Sequence, residues 1–128
     1  EGGLLTPVIR GVEKLSLIEL NAAIADAASR ARSGKIKQEE IEGGSFAVTN
    51  LGMYGTREFS AIINPPQSGI LAVGAATAAP VVENGEVVAG MVMTVTLSAD
   101  HRAVDGALAA QWLAAFQRHI ENPLGMLI

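Results

Sequence analysis

Apolar and polar positions follow two different periods along this chain, and the places where the period changes mark out its elements. Leu4-Leu5-Thr6-Pro7-Val8-Ile9-Arg10 reads as a short strand. Pro7 confines that strand to an edge or a bulge, because proline has no N–H to give a ladder. Ser16-Leu17-Ile18-Glu19 has capping-box spacing, with Ser at the N-cap and Glu three residues on. The helix it opens carries Leu17, Leu20, Ile24, Ala27, Ala28 and Ala31 at helical spacing. Gly34 supplies the stop, and Arg30, Arg32 and Lys35 complement the negative end of the helix dipole. Helix-end electrostatics thus explain this basic cluster better than a binding patch does.

A charged connector, Lys37 to Glu42, reads as one helical turn. From Ser45 the period becomes two. Phe46 to Leu51 is predicted as a strand ending in a turn at Gly52-Met53-Tyr54-Gly55. Ala61-Ile62-Ile63 is a short apolar run stopped by Asn64-Pro65-Pro66. Ile70 to Ala76 predicts a further strand. Val81-Val82 and Glu86-Val87-Val88 flank Asn84-Gly85, a strong hairpin signal. Met91 to Ser98 alternates Val92, Thr94, Thr96 and Ser98 against Met91, Met93, Val95 and Leu97, the pattern of one half-buried strand. Met91 and Met93 are expected in the core, although methionine also suits an adaptable binding pocket. The last element starts at Asp105-Gly106, carries Leu108, Trp112, Leu113, Phe116 and Ile120 on one side, and ends before Asn122-Pro123. Strand, helix, a run of strands and a helix argue for an α+β fold, a two-layer sheet-and-helix sandwich.

Composition narrows the classes. The 128 residues are 49% hydrophobic but only 4% aromatic and 17% charged, with a mean hydropathy of +0.34. That aliphatic weight excludes disorder. In a chain this short it also predicts apolar faces hidden against something else. Every apolar stretch is interrupted well before the roughly 18 residues a membrane span needs, so no membrane partner is expected. A net charge of −4 leaves no basic field for nucleic acid. With no cysteine, disulfides, thiolate metal sites and a Cys nucleophile are excluded together. No signal or transit segment is recognisable, and the opening Glu1-Gly2-Gly3 is expected to continue an upstream portion.

Two histidines can carry proton chemistry. His119 lies late in the last helix and reads as a partly exposed helix-end residue. His101 sits in Ser98-Ala99-Asp100-His101-Arg102-Ala103-Val104-Asp105-Gly106, where a strand hands over to a helix. Catalytic groups concentrate on such loops, because a rigid scaffold holds them while substrate keeps access.

His101-Arg102-Ala103-Val104-Asp105-Gly106 matches an HRxxDG signature and resembles the dihydrolipoamide acyltransferases, the E2 components of 2-oxo acid dehydrogenase complexes. Gly3-Leu4-Leu5-Thr6-Pro7-Val8-Ile9, Gly43-Gly44-Ser45-Phe46, Thr49-Asn50-Leu51-Gly52, Ala61 to Gln67 and Ile70 to Gly74 look like further family blocks in family order. The resemblance implies acyl transfer between dihydrolipoamide and coenzyme A, with His101 as general base and no metal. Acetyl is the favoured acyl group, since Asn50 to Gly55 and Phe59 to Pro66 look most like pyruvate-type chains. It places the oxyanion donor at Thr49, where the family usually has serine, although Thr49 also reads simply as a strand residue. Asp105 takes the position that supports the active-site loop, and capping of the following helix is an equally good reading of it. Gly106 is expected to allow close backbone approach. Arg102 is expected to form an ion pair that shapes the loop, and Asn64-Pro65-Pro66 reads most simply as a rigid turn, with support of the nearby site as the other reading.

The same resemblance implies a fold like that of chloramphenicol acetyltransferase, associating as trimers with His101 facing Thr49 of an adjacent subunit. It further implies a larger cubic or icosahedral core, with the apolar tail Asn122 to Ile128 anchored between trimers. Residues 1–128 would form the C-terminal portion of a catalytic domain. The lipoyl, peripheral-subunit-binding and N-terminal catalytic portions would lie outside it, as would contacts to E1 and E3 components. The lipoyl group would be carried on such a domain, since no lysine here has a lipoylation motif. Location would be cytoplasmic in a bacterium and the mitochondrial matrix in a eukaryote. A non-catalytic core subunit and a small-molecule acetyltransferase of the chloramphenicol type are the competing functions.

Overall fold

The computed structural model describes residues 4–127, so the sequence readings at Gly3 and Ile128 lie outside the described residues. Two compact units are present, one of residues 1–44 and 114–128, the other of residues 45–113.

In the first unit, α1 (Leu17–Arg32) starts where Ser16 accepts a hydrogen bond from the Glu19 N–H at 3.1 Å. It stops at Ser33, followed by Gly34 in the left-handed region. Arg30 in its last turn bonds Asp26 and the Glu40 carboxylate, at 2.9 and 2.7 Å. Glu40 belongs to a 3-10 turn, Gln38–Glu40, that realises the expected connector. The predicted first strand is not formed. Leu4–Arg10 is extended in composition, but the Val8 N–H donates to Glu40 O in that turn, and no ladder forms there among the described residues. Arg10 straps this arm down through Nη2 to the carbonyls of Glu39 and Glu42, at 2.6 and 2.7 Å.

The second unit is built on a three-stranded mixed sheet in the order β1 (Phe46–Asn50), β2 (Gly69–Val73), β5 (Val95–Ala99). β1 runs parallel to β2, and β5 runs antiparallel to it. Central β2 holds Ile70, Leu71 and Ala72, and among the described residues these and Ala27 of α1 are the buried apolar ones. β3 (Thr77–Glu83) and β4 (Glu86–Val92) form a separate antiparallel hairpin, turning through Asn84 and Gly85 at φ 51° and 82°. Positive φ at both central residues is what a twisted two-residue turn demands and what Asn-Gly supplies. The expected strand from Met91 to Ser98 is therefore two strands. The chain leaves the hairpin after Val92 and joins the sheet at Val95, so its partners change while its alternation does not. Met91 and Met93 are exposed rather than core. α2 (Gly106–Glu121) ends at Asn122 as its sequence predicts.

Large apolar side chains remain uncovered throughout. Ile62 is 91% exposed, and Val82 and Val87 at the hairpin tip are 73% exposed each.

Candidate functional site

Phe46 and Trp112 fix which face of the sheet is which. Their rings lie 5.4 Å apart, so the first half of α2 covers the Phe46 face. A cavity of about 230 Å³ survives there, lined by Phe46, Gly69, Leu97, Ala99, Leu108 and Trp112. Side chains alternate along a strand, so Thr49 points to the opposite face. It is half-buried and lies in one row with Ala72 and Thr96.

The turn after Thr49 is held tightly. Asn50 Oδ1 accepts the Gly52 N–H at 2.7 Å, and the Leu51 N–H donates to Val73 O at 3.1 Å. Beside it the segment at Thr56-Arg57 crosses Gly74 so closely that a Cβ there would meet the Arg57 carbonyl oxygen. Ala75 N–H completes the crossing by donating to Thr56 O at 2.7 Å.

His101 is exposed at the other end of the sheet, in the turn following β5. Asp100, just before it, is tied to the sheet end by its N–H, which donates to Ser68 O at 2.8 Å. Its carbonyl accepts the N–H groups of Ala103 and Val104, at 3.0 and 2.9 Å. Its carboxylate takes three donors from Arg102: the backbone N–H and Nε on Oδ1, both at 3.0 Å, and Nη2 on Oδ2 at 2.8 Å. These bonds to Arg102 hold the Asp100 carboxyl well below its usual range, at about 2. The expected Arg102 ion pair is thus present. Asp100 itself carried no role in the sequence reading, although Asp-x-Arg at a strand end is a recognisable Asx-turn signal.

Asp105 Oδ1 accepts the Leu108 N–H at 2.7 Å, so the carboxylate caps α2. A Cβ at Gly106 would meet nothing within 4 Å, so close approach by this chain does not explain that glycine. His119 is exposed beside the final 3-10 turn, Pro123–Met126. Among the described residues no group of three or more His, Cys, Asp or Glu is placed to hold a metal ion, and no helix is long and apolar enough to cross a membrane.

Thr49 and His101 are not brought together within the chain. The row of Thr49 and Thr96 lies four residues before Asp100 along β5, roughly 13 Å at 3.3 Å per residue. Two strand spacings, about 9.6 Å, add to that across the sheet, with buried β2 between.

The family model for the 2-oxoacid dehydrogenases acyltransferase catalytic domain matches residues 1–128. A Rhizobium meliloti protein, the dihydrolipoyllysine-residue acetyltransferase component of a pyruvate dehydrogenase complex, is 54% identical over 99% of the chain. The corresponding component of the Bacillus subtilis acetoin cleaving system is 44% identical over 100% of it. The chain spans 28% and 32% of those two proteins. A structure of the Azotobacter vinelandii dihydrolipoamide acetyltransferase superposes with a TM-score of 0.92 at 35% identity, covering 98% of this chain and 52% of that one. That structure addresses the catalytic roles of a serine, of a histidine 52 residues after it, and of an asparagine 4 residues further on. The cubic core of a pyruvate dehydrogenase multienzyme complex superposes equally well, with a TM-score of 0.92 at 34% identity, covering 98% of this chain and 52% of that one.

Proposed function

Since the chain belongs to the 2-oxoacid dehydrogenase acyltransferase family, we propose that it is the C-terminal portion of a catalytic domain that moves an acetyl group between dihydrolipoamide and coenzyme A. Both curated relatives carry acetyltransferase names, which supports acetyl as the acyl group. The spacing of three residues carries the site assignment. Thr49, His101 and Asp105 are separated by 52 and 4 residues, as are the serine, histidine and asparagine of the Azotobacter enzyme.

Chemistry at these positions is self-consistent. A thiol with a pKa of about 8.5 is mostly protonated at neutral pH, and an imidazole near 6.5 can take its proton. His101 accepts the proton of the incoming thiol, and the thiolate attacks the thioester carbonyl. The C=O electrons move to oxygen, where the Thr49 hydroxyl donates a hydrogen bond to the oxyanion. As the carbonyl re-forms, the C–S bond of the leaving thiol breaks and the imidazolium returns the proton to it. No acyl-enzyme forms, which suits a chain without cysteine. Thr49 offers the same hydroxyl as serine, with an added methyl and a stiffer χ1.

The separation of Thr49 from His101 supports a site shared between copies, each site taking His101 from one subunit and Thr49 from the next. The uncovered apolar residues support association into trimers of the chloramphenicol acetyltransferase type and then into a larger core. The exposed tail residues Leu124 and Leu127 are suited to the contact between trimers. E1 and E3 components and the lipoyl group would engage through domains outside this chain. Bacterial and mitochondrial relatives support a bacterial cytoplasmic or mitochondrial matrix location.

The test is acyl transfer from acetyl-CoA to dihydrolipoamide by the full-length protein, with and without His101→Ala. A loss of about 10²-fold or more is expected. No transfer by the unmutated protein would favour a non-catalytic core subunit.

A further inference from the structure

We propose that Asp100 and Arg102 form a clip that positions His101, and that Arg102 is a positioning residue for the acyl-transfer reaction. The proposal rests on the reading of His101 as the base. It is carried by where the bonds of this turn converge. His101 is flanked in sequence by two residues whose side chains bond each other through a carboxylate–guanidinium fork, so the main chain on both sides of it is tied together. The same carboxylate oxygen that takes Arg102 Nε also takes the Arg102 backbone N–H, so the clip fixes main chain and side chain together. Through its carbonyl and N–H, Asp100 then joins this turn to Val104 on one side and to Ser68 at the end of the sheet on the other.

Geometry separates this role from one in folding. The Arg102 side chain is 89% exposed, so it supplies almost no buried surface. A solvent-exposed pair of this kind contributes little to stability. What the fork restricts is the freedom of the residue between its two ends. A charged, two-point bond from Arg is directional where a single ammonium contact is not. Asp105, the other acidic residue of the motif, spends Oδ1 on the Leu108 N–H and so acts on the far side of the turn.

The experiment compares Arg102→Ala, Arg102→Lys, Asp100→Asn and the double variant Asp100→Asn with Arg102→Ala in the full-length assembled protein, with His101→Ala as control. A base displaced by an ångström or so loses rate rather than affinity. Arg102→Ala is therefore expected to lower kcat by about tenfold with KM for both thiol substrates unchanged. Arg102→Lys is expected to recover part of the loss. The double variant is expected to be no slower than the worse single one, because both remove the same clip. Unchanged kcat in Arg102→Ala, a KM effect without a kcat effect, or strictly additive losses would each overturn the clip. If His101→Ala also retains full activity, the reading of His101 as base fails. If only the Arg102 variants retain it, the clip alone fails.

Discussion

Thr49 and His101 stand at opposite ends of one three-stranded sheet, with β2 between their strands. The hydroxyl is on a strand face, in the Thr49–Ala72–Thr96 row. The imidazole is in a turn beyond the row of Ser45, Ser68 and Asp100. A single tetrahedral carbon needs its base and its oxyanion donor each about 3 Å from reacting atoms. The proposed sharing of the site between copies answers this separation, because each site would take one of the two groups from a second copy.

If Thr49 donates to the oxyanion, the hydroxyl and not the shape of the side chain matters. Thr49→Val keeps the volume and the β-branch and removes the donor. It is expected to lower kcat by about 10²–10³-fold, while Thr49→Ser keeps most of the activity. Steady-state kinetics on the full-length protein decide this. A fully active Thr49→Val makes Thr49 an ordinary strand residue.

Asp105 has one role already visible, at the start of α2. Asp105→Ala removes the acceptor for the Leu108 N–H and is expected to cost about 1 kcal/mol of stability. Asp105→Asn keeps a capping oxygen and should cost only a few tenths of a kcal/mol. Urea unfolding of the two variants measures the cap. Any further loss of kcat in the stable Asn variant reports the carboxylate's part in the active-site loop.

Gly74 and Gly106 make a contrasting pair. At Gly74 a methyl meets the Arg57 carbonyl oxygen, and backbone cannot step aside cheaply. Gly74→Ala is expected to destabilise by about 3 kcal/mol. Gly106→Ala meets nothing within 4 Å and should change chain stability by about 1 kcal/mol at most. Thermal unfolding compares them, and equal effects would contradict the crossing at Gly74.

Acid should destabilise the chain over a defined window. Arg30 and the Lys37 N–H hold the Glu40 carboxyl down at about 2, from an ordinary value of 4.5. This carboxyl is depressed on folding, so its contribution is complete above about pH 4.5 and is lost as pH falls towards 2. Glu40→Gln is expected to flatten part of that slope in denaturant midpoints taken between pH 6 and pH 3. An unchanged slope would mean that the Arg30 pair contributes nothing.

Local signals were the legible ones. Asn84-Gly85 specified its turn, Ser16 and Gly34 bounded α1, and the Asn122-Pro123 step ended α2, because each acts through its own backbone conformation. Partners that lie far along the chain left no such mark. Val92-Met93-Thr94-Val95 keeps its alternation while the chain passes from one sheet to the other, so no period reveals the break. Leu4 to Arg10 has the composition of a strand, yet a strand also requires a neighbour's backbone, and its Val8 N–H finds a turn instead. The residues of the candidate site could be picked out from a family pattern. The same pattern implied that Thr49 and His101 meet only across subunits, whereas residue spacing alone does not reveal their separation, which depends on the pairing of β1 with β2 and of β2 with β5.

The shared site is tested most directly by mixing two impaired variants. Full-length His101→Ala and Thr49→Val chains, each expected to be slower by about 10²-fold or more alone, are co-expressed so that both enter the same assemblies. If every site takes His101 from one copy and Thr49 from its neighbour, random mixing restores about one quarter of the unmutated sites. Activity near one quarter of the unmutated level is the expected result. Activity no higher than that of the two separate variants would contradict a site built between copies.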